Sequence, residues 1–252
     1  MEKITAVIPT RNEEQNIEEV LESVSFADEI MVVDSFSKDK TIELARKYTD
    51  RILQHEYINS AAQKNWAIPQ AKHEWILLVD ADERVPEALK KEIQNILKEG
   101  SEKAGFWVYR DNYYMGRHLK HGGWNRDKVI RLFKKSKCRY EEKHVHAEIL
   151  ADGEVGRLKN HLIHNTYKGF DAFVEKVNRY AWWQAKDYDK KIKKITLYHL
   201  FIKPGYRFFS HYIIRGGFRD GIPGLTVAFL ASYALFTRYI KLWILRNKNI
   251  NH

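Results

Sequence analysis

Four short apolar runs, each followed by a polar turn and then a segment of helical spacing, recur within about the first 100 residues. No other feature limits the fold of this chain as tightly. ITAVIP (residues 4–9) reads as a buried strand, and Asn12 is placed to cap a helix whose Ile17, Val20 and Leu21 share one face. EIMVVD (29–34) is a second strand, followed by a polar loop and a helix. RILQH (51–55) is a short third strand before a helix over Ser60–Ala67, and residues 75–79 form a fourth before a helix after Pro86. Strand and helix in alternation predict a mostly parallel, doubly wound sheet. Right-handed crossovers then bring the loops at Thr10, Asp34, His55 and Asp80 to the carboxyl edge, where such sheets bind ligands.

The fourth strand ends in an unusual way. EWILLVDADERVP (74–86) places Asp80, Asp82 and Glu83 within four residues of one another. Carboxylates crowded at a strand end raise each other's pKa unless a cation or water sits among them. One reading makes Asp82 or Glu83 the cap of the helix opened by Pro86. The other makes Asp80 and Asp82 a D-x-D pair, one carboxylate towards a ribose or sugar and the other on a divalent metal bridging two phosphates. No GxxxxGK[ST], GxGxxG or His/Cys zinc spacing occurs, so a phosphate site here has to be built from a cation and side chains.

After residue 100 the rhythm changes. GFWVYRDNYYMG (105–116) alternates like a hairpin or an edge strand, and KVIRLFKK (128–135) resembles another strand. Gly116, Gly122, Gly123 and Trp124 lie between them, a plausible acceptor-side loop because glycine permits close approach. The segment from Phe170 spaces Phe173, Val177, Tyr180 and Ala181 as a packed helix face.

Charge divides the chain. Residues 1–167 hold 27 Lys and Arg against 28 Asp and Glu, whereas residues 168–252 hold 16 against 5, so the last third carries the whole net charge of +10. A basic surface confined to one end points to a local anionic partner and not to nucleic acid, for which no stacking module is present. The same end holds GLTVAFLASYALFT (224–237), whose 14 residues suit an interfacial or buried helix better than a bilayer span. The opening MEKITAVIPT lacks the pattern of a signal peptide. Cys138 is the only cysteine; no intrachain disulfide can form, and although its neighbours Lys137 and Arg139 are a setting that can lower a thiol pKa, no Cys-His-acid pattern surrounds it and it is expected to be incidental to catalysis.

Taken together, VIPTRNEEQNI (7–17), IMVVDSFSKDKT (30–41), AAQKNWAI (61–68) and ILLVDADE (76–83) resemble the nucleotide-sugar half of the family 2 inverting glycosyltransferases. KVIRLFKK, EEKHVHAEI (141–149), HNTYKGFDAFVEKVNRYA (164–181) and GGFRDGIPGL (216–225) look more narrowly like the bacterial lipopolysaccharide core β-glucosyltransferase branch. The resemblance implies a GT-A-like nucleotide-sugar-binding domain over residues 1–167 with a mostly parallel central sheet. A helical, basic extension over residues 168–252 would be packed on it and membrane-proximal. It implies metal-dependent, inverting transfer of a hexose from a UDP-sugar, with Mg²⁺ or Mn²⁺, to a lipopolysaccharide-core or other lipid-linked acceptor. The place of action would be cytoplasmic, peripheral on the inner membrane and in contact with its anionic surface.

Residue by residue, Pro9, Thr10 and Arg11 match the loop that lines the nucleotide, and Glu13 an acid beside the base or ribose. Asp34 matches the reader of the uracil ring. Relatives often read VVDDGS where this chain reads VVDSFS, so Ser35 replaces an acid and the glycine is lost. Lys64 sits where relatives place a cation near the donor. Asp80 and Asp82 match the metal-binding pair, Asp82 as the better ligand and Asp80 nearer the ribose or sugar. The catalytic base is expected in YEEKHVHAEIL (140–150): relatives carry a His-Glu pair, whereas here Ala147 separates His146 from Glu148. Glu148 ranks first, then Glu142 and Glu141, with His146 orienting or binding phosphate. Arg126 and Arg131 flank the VIRLF strand and suit a phosphorylated acceptor. The competing functions are transfer to another anionic cell-envelope polysaccharide or lipid carrier, and a nucleotide-sugar-binding protein without turnover.

Overall fold

Alternate side chains of the first strands go to opposite faces of one sheet, and both faces are covered. In the computed structural model, which describes residues 1–142, 147–166 and 169–247, these strands are β1 (Ile4–Thr10), β2 (Glu29–Asp34), β3 (Ile52–Gln54) and β4 (Trp75–Leu78). They run parallel in the order β3-β2-β1-β4. Ile4, Ala6, Ile8, Val32, Trp75 and Leu77 enter one core with α1 (Ile17–Ser23) and α4 (Glu87–Glu99). Val7, Met31, Val33, Ile76 and Leu78 enter the other with α3 (Ser60–Ala67). The short α2 (Thr41–Ala45) follows β2. Strands buried on both faces read as continuous apolar runs, which is why periodicity found them.

Beyond β4 the sheet is mixed and not mostly parallel. After the two-residue β5 (Glu83–Arg84) come β6 (Gly105–Tyr114), β7 (Arg117–His118) and β8 (Lys128–Lys134). β8 inserts antiparallel between β4 and β6. β6 is therefore an interior strand, with β7 as its hairpin partner; the edge-strand reading fails because β8 and β12 occupy its two sides. β9 (Cys138–Tyr140) and β10 (Ile149–Ala151) form a separate ribbon. β11 (Val155–Arg157) pairs parallel with β6, and β12 (Leu162–Asn165) antiparallel with β5.

Two helix starts differ from expectation. Asn16, not Asn12, precedes α1; Asn12 has φ +53° and its Oδ1 accepts from Lys38 N at 2.8 Å. Neither Asp82 nor Glu83 caps α4, whose N-terminal boundary is Pro86. Glu83 is fully buried instead.

The chain divides into two units, Met1–Asp111 with Arg126–Asn165, and Asn112–Asn125 with Thr166–His252. The second contains α5 (Phe170–Asp189), α6 (Lys203–Phe209), flanked by π-helical turns over Tyr198–Ile202 and Ser210–Ile214, and α7 (Gly221–Arg246). Val177, Ala181 and Ala185 are the buried face of α5. Tyr114, Leu119, Val227 and Leu230 form a small core with Phe173 and Trp124 packed on it. GGFRDGIPGL has a structural job here: Asp220 accepts from His121 N at 2.9 Å and contacts His121 Nδ1 at 2.8 Å. A Cβ on Gly224 would lie 2.0 Å from Gly217 O, so only glycine lets α7 approach that backbone. The helix that carries the apolar run is longer than the 14 residues counted from sequence. Gly217–Arg246 is one helical stretch of 30 residues whose most apolar 18-residue window has mean hydropathy 1.2, long and apolar enough to cross a membrane, although 39% of that window is buried within the protein. Core helices share that length and apolarity, so it is weak support for membrane contact.

Candidate functional site

The crowded acids are answered by buried cations. Lys64, from α3, lies 2.8 Å from Asp80 Oδ1, and Arg131, from β8, holds Asp80 Oδ2. The same Arg131 Nη2 donates to Glu83 Oε1 at 2.7 Å, and Arg110 of β6 reaches that oxygen at 3.2 Å. Glu83 Oε2 accepts from Asp80 N at 3.0 Å. Arg110 also clamps Asp127 with two bonds, at 2.9 and 2.8 Å. Burial alone would raise the Asp80 pKa, but Arg131 and Lys64 outweigh it and hold the carboxyl well below its usual range. Burial pulls Lys64 down, yet Asp80 keeps it above its ordinary value. Burial likewise works against Arg131, and Asp80 and Glu83 keep it charged.

Asp82 faces a different neighbour. Its Oδ2 stands 3.6 Å from Nε2 of His164, which β12 brings beside β5 through the register His164↔Glu83. Two donors each about 2.1 Å from one cation, and separated by 90–120°, stand roughly 3.0–3.6 Å apart. The spacing of Asp82 and His164 is that of two donors to one divalent ion. Among the described residues no group of three or more His, Cys, Asp or Glu is placed to hold a metal ion by itself.

At the carboxyl end of β2, Asp34 is fully buried and accepts from Ser37 N at 3.0 Å and Gln54 Nε2 at 3.2 Å. The loops after β1 and β2 are laced together: Asn12 N donates to Ser37 Oγ at 2.8 Å and Glu13 N to Thr41 Oγ1 at 2.7 Å. Where relatives carry glycine, Phe36 has φ +54° and is 55% exposed, so the left-handed turn is kept by a residue that strains to adopt it. Ser35 Oγ accepts from Gln63 Nε2 at 2.6 Å. Thr10 Oγ1 and His55 Nδ1 are buried at this edge without a hydrogen-bond partner among the described residues. His55 stacks on Trp66 with ring centroids 4.1 Å apart.

Thr10, Asp34, Lys64, Asp80, Asp82 and Arg131 thus lie on the carboxyl-edge elements or the strands beside them. Pro9 is half-buried, Arg11 exposed, and Glu13 bonds Asn16 Nδ2 at 2.9 Å. Arg126 is exposed, in contrast to the buried Arg131, whose Nη2 is engaged by Asp80 and Glu83. Glu142 and Glu148 are exposed, and Glu148 N donates to Glu141 Oε2 at 3.3 Å. His146 lies outside the described residues. Cys138 is buried, its Sγ donates to Ala104 O at 3.5 Å, and burial pushes the thiol up to about 11 despite the cations on either side of it in sequence. Arg110 and His164 were not singled out from sequence, and Glu83 was read only as one of the crowded acids and a candidate helix cap. A lone Arg in the alternating strand GFWVYRDNYY was a usable signal for Arg110; His164 needed the β5–β12 register.

The sequence model of glycosyl transferase family 2 matches residues 5–151. A lipopolysaccharide core biosynthesis glycosyltransferase, LpsC of Rhizobium meliloti, is 28% identical over 250 residues, covering 94% of this chain and 93% of that protein. Poly(ribitol-phosphate) β-N-acetylglucosaminyltransferase TarS of Staphylococcus aureus is 29% identical over 111 residues, covering 39% of this chain and 19% of that protein. Among solved structures, residues 1–349 of S. aureus TarS align at TM-score 0.48 and 14% identity over 98% of this chain and 92% of that one. Glucosyl-3-phosphoglycerate synthase of Mycobacterium tuberculosis with Mg²⁺ and UDP aligns at TM-score 0.36 and 22% identity, covering 46% of this chain and 44% of that one.

Proposed function

The chain belongs to glycosyl transferase family 2 and is a hexosyltransferase by class, and from that premise we propose that it transfers a hexose, with inversion, from a UDP-sugar to a lipopolysaccharide-core or other lipid-linked acceptor. The observation that carries the donor side is the strand end itself, where Asp80 is fixed between Lys64 and Arg131 while Asp82 turns to His164. In this reading the domain is of the GT-A kind, and Thr10, Arg11, Glu13 and Asp34 line the nucleotide. Asp82 and His164 hold a divalent cation; an imidazole donor suits Mn²⁺ better than Mg²⁺. When bound, the metal offsets charge on the departing diphosphate.

The chain's own groups do the rest. Lys64 and Arg131 keep Asp80 ionised and pointed, so that it accepts a hydrogen bond from a ribose or sugar hydroxyl without a rotamer search. Glu148, with Glu142 as the second choice, takes the proton of the acceptor hydroxyl as it attacks behind the anomeric carbon. His146 and Arg126 orient a phosphorylated acceptor. Residues 168–252 bring the enzyme to the anionic cytoplasmic face of the inner membrane. The similarity to LpsC favours the lipopolysaccharide-core acceptor. The shorter similarity to TarS favours a second reading, transfer to an anionic cell-envelope polysaccharide.

A screen of nucleotide sugars for slow, metal-dependent hydrolysis tests the donor side without an acceptor. UDP release that needs Mn²⁺ or Mg²⁺ and falls more than about tenfold in Asp82→Asn is the expected result. UDP affinity unchanged by excess chelator would remove the metal from the site.

A further inference from the structure

The segment LYHLFIKPGYRFFSHYII (197–214) is helical throughout and poorly covered. Leu197 is 72% exposed and Tyr206 65%, and Phe201, Ile202, Phe209, Ile213 and Ile214 are exposed with them. A patch of this kind on a water-soluble surface marks an interaction site. The same helix spaces Lys203, Arg207 and the imidazole of His211 four residues apart, so its two cations share one face with that ring. Between that face and α7 lies a cavity of about 700 Å³.

Cations dominate the polar lining of this cavity. Lys203, Arg207, Arg215 and Arg238 line it with tyrosines between them, and no Asp or Glu does. Among the described residues none of the four has a carboxylate partner. They are nonetheless held in place: Lys203 Nζ donates to Tyr239 Oη at 3.2 Å and lies over the Tyr198 ring. Arg238 Nε donates to Gln184 Oε1 at 2.8 Å over the Tyr188 ring. The Arg215 guanidinium rests on Gly123, where a Cβ would come within 2.6 Å of its Nη1. Arg207 Nη1 donates to His211 Nε2 at 3.3 Å, and burial with the nearby Arg207 and Arg215 pushes that imidazole down to about 4. Lys203 and Arg238 are half-buried and Arg207 and Arg215 exposed, yet all four converge, with no carboxylate among the lining residues, on one half-open hollow.

We propose that this cavity binds the phosphate of an anionic lipid headgroup while the exposed apolar side chains of residues 197–214 enter the interfacial region of the bilayer. The assignment of source follows from adjacency. A site for free phosphate has no use for exposed Leu197, Phe201, Ile202 and Ile214, whereas a headgroup delivers its phosphate with a hydrocarbon surface beside it. The inference rests on the reading of this enzyme as membrane-peripheral, and is independent of the sugar transferred. It places the decisive contacts on Lys203, Arg207 and Arg215, and not on the neighbouring run Lys190, Lys191, Lys193 and Lys194.

Flotation of the full chain with phosphatidylcholine vesicles, alone or containing phosphatidate or phosphatidylserine at matched surface charge, tests it in low and high salt. The expected result is binding several-fold stronger to phosphatidate than to phosphatidylserine. That preference should fall less with salt than the overall binding, because several cations close around one phosphate are screened less than charge spread over the surface. The triple variant Lys203→Gln, Arg207→Gln, Arg215→Gln should lose the preference and weaken binding by about tenfold or more. Lys190→Gln, Lys191→Gln, Lys193→Gln and Lys194→Gln together should keep it. Equal loss in the two variants overturns the site in favour of diffuse attraction. Calorimetric binding of inorganic phosphate without vesicle binding overturns the lipid source, and displacement by single-stranded RNA in place of vesicles overturns the class of partner. UDP affinity and circular dichroism of each variant check folding, with Arg207→Gln alone as the milder substitution. Donor hydrolysis that persists while all vesicle binding fails would sink this inference and leave the glycosyltransferase reading standing.

Discussion

Two charged clusters in this protein are built on opposite plans. At the end of β4, Asp80, Glu83 and Asp127 are met by Lys64, Arg131 and Arg110: Arg131 holds Asp80, and the pairs Lys64–Asp80, Arg131–Glu83, Arg110–Glu83 and Arg110–Asp127 stand at 2.7–3.2 Å. In the cavity beside α6, Lys203, Arg207, Arg215 and Arg238 converge with no acid lining the space. The first cluster is neutralised from within and so is rigid before any ligand arrives. The second leaves its neutralisation to something outside the chain. Their pKa shifts carry the same contrast: opposite charges hold Asp80 ionised despite burial, whereas like charges, with burial, keep His211 neutral.

The largest expected effect breaks the paired cluster. Arg131→Met leaves the buried Glu83 and the half-buried Asp80 each short of a cation and should destabilise the fold by about 3 kcal/mol, read from urea unfolding. A change under about 1 kcal/mol would mean that Lys64 and Arg110 suffice. Acid should act on the same cluster. Because the folded pKa of Asp80 lies below the unfolded value near 4, its contribution is complete above about pH 4 and is lost as pH falls through the folded pKa. Stability should therefore fall more steeply below pH 4 in the unmodified chain than in Arg131→Met, and equal slopes would detach the shift from Arg131.

The smallest effect belongs to the unpaired cluster and tests the contrast from its other side. Arg207→Gln removes a repelling charge, so stability should stay within about 0.5 kcal/mol or rise. The His211 pKa should move up from about 4 towards the ordinary imidazole value, as followed by NMR titration. A large loss of stability would show that Arg207 is a structural member of the helix face.

Local signals in this sequence had real reach. Strands buried on both faces must be apolar without interruption, so β1, β2 and β4 were readable, as was α3 after Asn59. Asp80 and Asp82 were conspicuous because acids at a strand end call for an electrostatic partner. The left-handed turn after Asp34 illustrates the limit. The glycine expected from the resemblance is lost, yet the bonds from Ser37 to Asp34 and from Asn12 to Ser37 hold Phe36 in a left-handed turn.

What the sequence by itself determined is the parallel half-sheet, the edge on which its loops gather, and the division of charge between the two ends of the chain. These follow from periodicity and from counting, which act over a few residues or over all of them. Tertiary structure alone decided which cation meets which acid. Lys64, Arg110 and Arg131 come from α3, β6 and β8, and their convergence depends on β8 inserting antiparallel between β4 and β6, a choice among pairings of similar local propensity. It decided also that Asp82 meets His164 and that Cys138 is buried with its thiol raised, against the cationic neighbours that flank it in sequence. Electrostatic partners and solvent exclusion are set by distance in space, and residues 50 or 80 positions apart carry no local trace of it.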